Sequence, residues 1–298
     1  MQNPISPVYR KIQVNERAKV WYREAGSRNK PTILLLHGYP TSSNMFRNLI
    51  PLIATHFHVV SPDLPGFGFT TVDEDYTYTF DNLATTIFHF VKSIGLSKYI
   101  VYLFDYGSPV GLRLALKDPS AVLGLIIQNG NAYEEGLDDR FWGPLKDYWR
   151  SDQQNPLFLD QLKSFVKDSK NITCQYYDGV SNPEIVDPSG YTLDIALMAR
   201  PNQSDIQVKL FYDYKNNVTM YTEFQEFFRS CDIPVLIVWG KNDVIFTVAG
   251  AEAYKRDLKN VTLRFYDTGH FALETHVTEI AHEIIQAFGS STLPDAES

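Results

Sequence analysis

The run Tyr99-Ile-Val-Tyr-Leu-Phe104 is apolar throughout and meets Asp105-Tyr106-Gly107, then a helical stretch from Ser108 to Leu116, with no linker between. Six consecutive apolar residues predict a strand buried on both faces, as in a parallel sheet. Pro109 falls in the first turn of the following helix, where a missing N–H costs little. A strand that turns directly into a helix pushes one side chain out above the sheet edge, and Gly107 lets the helix pack close behind it. The helix N-terminus aims N–H groups at that side chain and favours negative charge there. The projecting side chain is a carboxylate, and Asp105 is assigned as a nucleophile on this basis. Ser108 has Gly directly before it and Pro after, so it does not occupy the centre of a G-x-S-x-G turn.

The rest of the chain repeats the strand–helix rhythm. Residues 8–24 alternate apolar and polar, which predicts an opening antiparallel pair. Thr32 to Leu36 reads as a buried strand ending in His37-Gly38-Tyr39-Pro40, with a helix from about Asn44. His58 to Ser61 predicts another strand before the loop Pro62-Asp63-Leu-Pro65-Gly66-Phe-Gly68. A helix capped by Asp81 carries Leu83, Ile87, Phe90 and Ile94 at helical spacing and stops at Gly95. Val122 to Gln128 predicts a further buried strand. From about Ala132 to Arg229 short apolar strands are absent and aromatics and helical fragments dominate, which predicts a helical insertion. Strands return at Pro234 to Trp239, before Gly240-Lys-Asn-Asp243, and at Val261 to Tyr266, before Gly269-His270. A last amphipathic helix carries Val277, Ile280, Ile284 and Phe288. Strands alternating with helices predict a mostly parallel sheet covered on both faces.

Composition removes several classes of function. With 44% hydrophobic residues in 298 and no apolar run of membrane length, a globular protein away from the bilayer is expected. A net charge of −8, with no basic stripe, argues against nucleic acid as a partner. The opening residues, Met1 to Pro7, have neither a basic nor an apolar signal region, and only Cys174 and Cys231 occur, so a cytoplasmic setting is expected. His56-Phe57-His58 has metal-compatible alternation without a carboxylate or cysteine beside it, and no metal or organic cofactor is expected. The expected partners are a small apolar substrate and water, with the chain a monomer or homodimer.

Asp105, Asp243 and His270 each follow a core strand, where the ends of a parallel sheet converge on one crevice. A carboxylate can attack carbon and form an ester. A histidine oriented by a second carboxylate can then take a proton from water, and water hydrolyses the ester. The ester carbonyl needs N–H donors, and the main chains of Tyr39 and Tyr106 are placed to supply them. Glu134, after the strand ending at Gln128, is the alternative acid to Asp243.

Four pieces together carry a resemblance: His37-Gly38-Tyr39-Pro40, Pro62-Asp63 with Gly66-Phe67-Gly68, Asp105-Tyr106-Gly107, and Gly240-Lys-Asn-Asp243 with Gly269-His270. The chain resembles the α/β-hydrolases of the epoxide hydrolase and haloalkane dehalogenase group over nearly all its length. The resemblance implies an α/β-hydrolase fold, a mostly parallel twisted sheet flanked by helices, with a helical lid inserted after the sixth strand. It implies a core of 1–131 and 231–291, a lid of 132–230 and a cis peptide at Tyr39–Pro40; the tail, 292–298, reads from its own composition as disordered. His37, Gly38 and Pro40 would be structural neighbours of the site. Dehalogenases of this kind hold the halide with an Asn after His-Gly and a Trp after the nucleophile, where this chain has Tyr39 and Tyr106. Epoxide hydrolases protonate the epoxide oxygen with lid tyrosines. Tyr214 in Tyr214-Lys215-Asn216 resembles the later one, and Tyr148 in Asp147-Tyr148-Trp149 is the nearest match to the earlier one. Phe104 departs from the family, which has His or Gln immediately before the nucleophile. The expectation is epoxide hydrolysis by Asp105, Asp243 and His270 with Tyr214 and Tyr148. Dehalogenation of haloalkanes or haloacids by the same nucleophile and a non-catalytic ligand-binding member of the fold are the alternatives.

Overall fold

The computed structural model describes residues 5–151 and 155–289; the expected tail at 292–298 and the end of the expected core span lie outside them. Nine strands form one sheet: β1 (Val8–Asn15), β2 (Ala18–Ala25), β3 (Thr32–Leu36), β4 (His58–Pro62), β5 (Thr71–Val72), β6 (Tyr99–Phe104), β7 (Val122–Gln128), β8 (Val235–Gly240) and β9 (Val261–Tyr266). The order is β1-β2-β4-β3-β6-β7-β8-β9, with β5 pairing β2. β1, β2 and β4 pair antiparallel, as do β2 and β5, and every pairing among β4, β3, β6, β7, β8 and β9 is parallel. Residues of β3, β4 and β6 are buried throughout, because helices cover both faces of the parallel part.

Alternate residues of β6 enter different cores. Val101 and Leu103 join one with Phe80, Val110 and Leu112, whereas Ile100, Tyr102 and Phe104 join the other with Phe46, Ile50 and Ile284. The helices around the sheet are α1 (Leu49–Ile53), α2 (Phe80–Ser93), α3 (Gly107–Lys117), α10 (Val248–Ala253), α11 (Ala272–Thr275) and α12 (Val277–Phe288). Between β7 and β8 lie α4 (Asp139–Arg150), α5 (Pro156–Lys167), α6 (Ser169–Tyr177), α7 (Pro188–Met198), α8 (Gln203–Thr219) and α9 (Tyr221–Ser230).

Three local expectations change. Thr79, not Asp81, caps α2: the Thr79 hydroxyl accepts from the Asn82 N–H at 3.2 Å, and Asp81 sits in the first turn, paired with Arg113. The expected helix from Asn44 is a short 3-10 turn, Ser43–Phe46, followed by α1. The helical segment follows the seventh strand by chain order rather than the sixth. The uncounted strand is β5, two half-exposed residues with no apolar pattern to announce them.

Register places the site. The pairs Leu36↔Leu103, Phe104↔Gln128, Gln128↔Val238 and Gly240↔Tyr266 bring the C-terminal ends of β3, β6, β7, β8 and β9 into one row. His37, Asp105, Asn129, Asp243 and His270 therefore leave the sheet along the same edge. The inserted helices are tied to it by polar contacts. The Phe80 N–H donates to Asp213 on α8 at 2.7 Å, and Arg113 donates to Asn217 at 2.7 Å. Arg47 bridges Glu274 at 2.8 Å to Asp187 at 3.3 Å.

Candidate active site

Asp105 sits at the turn between β6 and α3 with φ +47°. That left-handed conformation is strained for an Asp and costs on the order of 1 kcal/mol. The reward is direction: its Oδ1 accepts the Tyr39 N–H at 2.6 Å, and the Tyr106 N–H bonds the same carboxylate. A helix cap would instead point down α3, whose cap position is Tyr106 with no side-chain cap bond. Two glycines make the approach possible. A Cβ on Gly38 would lie 2.1 Å from Asp105 Oδ1, and one on Gly107 would lie 2.3 Å from the Leu36 carbonyl. The Tyr39–Pro40 peptide is cis.

His37 braces this loop. Its Nε2 accepts the Leu64 N–H at 2.9 Å, so its Nδ1 carries the proton and donates to the Gly38 carbonyl at 3.0 Å. Burial pushes its pKa down to about 4, and the ring is neutral.

His270 Nδ1 lies 2.8 Å from Asp243 Oδ2. With a carboxylate on that side the proton belongs to Nδ1, leaving Nε2 as a lone pair. That Nε2 is buried, has no hydrogen-bond partner and stands 3.8 Å from Asp105 Oδ2, too far for a direct bond. Asp243 is fixed by the Ile245 N–H at 2.8 Å and by Asn129 Nδ2 at 2.8 Å. Asn129 is fully buried with φ +43°, and its Oδ1 accepts the Gly240 N–H at 3.0 Å, tying the end of β7 to the end of β8. Gln128 donates to the His270 carbonyl at 3.3 Å and accepts from the Tyr102 hydroxyl. The ring of Phe104, the residue that departs from the resembled family, packs 4.7 Å from the His270 ring. Glu134, the alternative acid, is exposed on a short 3-10 turn, and the carboxylate on His270 Nδ1 is that of Asp243.

Electrostatics divide the two ionisable partners. Burial raises Asp105 to about 6, opposed by His270 and the two main-chain N–H donors. At neutral pH it is mostly a carboxylate, and a poorly solvated one. Burial alone would lower His270, but Asp243 and Asp105 together more than offset it and leave the imidazole above its ordinary value.

A cavity of about 220 Å³ opens over Asp105, lined by Phe141, Trp142, Leu145, Leu162, Phe165, Phe211 and Ile245 with Tyr39, Tyr106 and Tyr214. That volume equals roughly seven water molecules and suits a small apolar molecule. Tyr214 is buried on α8, between Trp142 at 4.7 Å and Phe80 at 5.6 Å. Its hydroxyl lies beside that of Tyr221, which accepts from Asn131 at 3.1 Å. Both indoles of α4 are spoken for, that of Trp142 in the cavity wall and that of Trp149 stacked on Tyr214: Trp142 Nε1 donates to the Ile245 carbonyl at 2.7 Å and Trp149 Nε1 to the Phe211 carbonyl at 2.8 Å.

Tyr148 is the expected site residue that the structure does not bring in. It packs edge-on against Tyr212 at 5.4 Å and is absent from the wall of the cavity, because the part of α4 that faces Asp105 is built from Phe141, Trp142, Pro144 and Leu145. Asn129 and Tyr221 belong to the site without having been read from the sequence. For Asn129 the signal was there, since Gln128 to Gly136 is a stretch of Gly, Asn and Glu directly after a core strand.

The family model for the alpha/beta hydrolase fold matches residues 31–277. An uncharacterized hydrolase of Saccharomyces cerevisiae is 59% identical over 283 residues, covering 95% of this chain and 98% of its own. A haloalkane dehalogenase of Bradyrhizobium diazoefficiens is 36% identical over 104 residues, 35% of this chain and 33% of that one. Among solved structures, the haloalkane dehalogenase DbeA of Bradyrhizobium elkani superposes with a TM-score of 0.76 at 20% identity, covering 95% of this chain and 97% of that one.

Proposed function

The chain belongs to the alpha/beta hydrolase fold family, and within it we propose that it hydrolyses small apolar epoxides to vicinal diols through an ester on Asp105. In this reading residues 1–131 and 231–291 carry the chemistry and 132–230 serve as a lid. Asp105 attacks an epoxide carbon, and a phenol on Tyr214 protonates the oxygen that leaves. His270, held by Asp243, then takes a proton from water, which attacks the ester carbonyl. The main-chain N–H groups of Tyr39 and Tyr106 hold the oxyanion. A second cavity, about 140 Å³, reaches His270 and Asp243 from the side of Cys174 and Asp178, and offers water its own approach.

The observation that carries the choice of epoxide is the chemistry of the cavity wall. An alkoxide is strongly basic and leaves only with a proton or a strong hydrogen bond. A halide leaves without one and asks for N–H donors. The wall offers buried phenols, while the indole N–H groups of Trp142 and Trp149 are consumed on carbonyls. Halide displacement by the same carboxylate is the second reading, favoured by the partial match to haloalkane dehalogenases.

Tyr214→Phe separates the two. Epoxide opening is expected to slow about 100-fold in kcat with KM within about threefold, the usual effect of losing a general acid. A Tyr214→Phe enzyme that opens epoxides at the parent rate, or a parent that releases halide from haloalkanes and makes no diol, would select dehalogenation.

A further inference from the structure

We propose that the side chains of Tyr39 and Tyr106, whose main-chain N–H groups hold the Asp105 carboxylate, are themselves the acids that hold and protonate the leaving oxygen alongside Tyr214. The inference rests on the epoxide reading and replaces Tyr148 as the second phenol.

A phenol hydroxyl buried without a partner costs about 1–3 kcal/mol, and buried tyrosines ordinarily find one. Here the hydroxyls of Tyr39 and Tyr106 are both buried and both unpartnered. Both residues line the cavity over Asp105, at 5% and 3% exposure. Their rings are neighbours at 6.1 Å, and Tyr106 adjoins Tyr214 at 5.9 Å, so the three phenols form one contiguous patch. Phe67, Phe80 and Phe211 pack against the patch, and none of their side chains carries an N or O acceptor. Two unsatisfied donors on residues that line the cavity over one nucleophile, among aromatic rings, fit an acceptor that arrives with the substrate. The phenols stay protonated across the working range, because burial and then the Asp105 charge raise both above their ordinary value.

The proton account closes. Asp105 forms a C–O bond to the substrate as the ring C–O bond breaks, and the departing oxygen takes a proton from a phenol, leaving a phenolate. Water, losing a proton to His270, adds to the ester carbonyl, and the alkoxide that is expelled takes the His270 proton. The carboxyl group regenerated on Asp105 carries the second proton of that water and returns it to the phenolate. Each tyrosine then works twice, its N–H in ester hydrolysis and its O–H in ring opening.

The division is measurable in single turnovers with styrene oxide, following ester on Asp105 by quenched-flow mass analysis. In Tyr39→Phe and Tyr106→Phe, ester formation is expected to slow at least tenfold in one or both, with ester hydrolysis within twofold of the parent, since the main-chain donors remain. Ester formation at the parent rate in both variants, while Tyr214→Phe is slow, would overturn this inference and leave the epoxide reading standing. Equal slowing of both half-reactions would also overturn it, as a packing effect. A parent enzyme that forms no ester from epoxides removes both.

Discussion

Asp105→Asn is expected to lose turnover by at least about 10⁴-fold and to gain stability. The loss follows from the role: an amide does not displace an epoxide oxygen, and removing a nucleophile that acts with its base costs as much as removing the set. The gain follows from the environment. The Asp105 carboxyl titrates near 3.8 in the unfolded chain and near 6 in the folded one, because burial penalises the charge. The folded state therefore holds the proton longer, and stability falls as pH rises from about 4 to about 6, then stays at the lower level. Removing the charge recovers up to about 3 kcal/mol above pH 6 and nothing below pH 4. Asn also tolerates the left-handed backbone at φ +47° better than most residues, and its carbonyl can keep the Tyr39 N–H bond. Thermal denaturation at pH 8 and pH 4 checks this: Tm higher by several degrees at pH 8 and unchanged at pH 4. A variant that is inactive but less stable at pH 8 would mean that the carboxylate holds the fold together rather than being tolerated for its chemistry.

His270→Gln carries the second large effect. The base acts only after the ester exists, so ester formation should survive within about tenfold while its hydrolysis falls at least about 10³-fold. The enzyme would consume one equivalent of epoxide and stop. The peptide bearing Asp105 would gain the mass of the substrate, with no diol released. Steady diol production by this variant would remove His270 from the role of base; consumption of no epoxide at all would place it in the first step instead.

Much of this site was legible because it is made of strand ends. A run such as Tyr99 to Phe104, buried on both faces and alternating with helices, is what a parallel sheet calls for, and such a sheet delivers its C-terminal loops to one edge. Asp105, Asp243 and His270 were read from their places after strands together with their residue types and flanking glycines. The helices between β7 and β8 follow no such rule. Their residues face the cavity or pack among themselves according to how α4 and α8 lie: Tyr214 reaches the cavity wall, whereas Tyr148, the weaker match in sequence, is buried against Tyr212. Asn129 was hidden for another reason, since its task is to join β7 to Asp243 across 114 residues of chain. The hydroxyls of Tyr39 and Tyr106 were hidden because these residues were already accounted for by their main chains.

In the proposed reaction Asp105 attacks carbon, and water then attacks the carbonyl of the Asp105 ester. One turnover of a small epoxide with enzyme in excess, in water enriched in heavy oxygen, tests it directly. The expected result is one heavy oxygen in the Asp105 carboxylate and none in the first diol released. A labelled diol with an unlabelled Asp105 would mean that water opens the ring itself, and would contradict it.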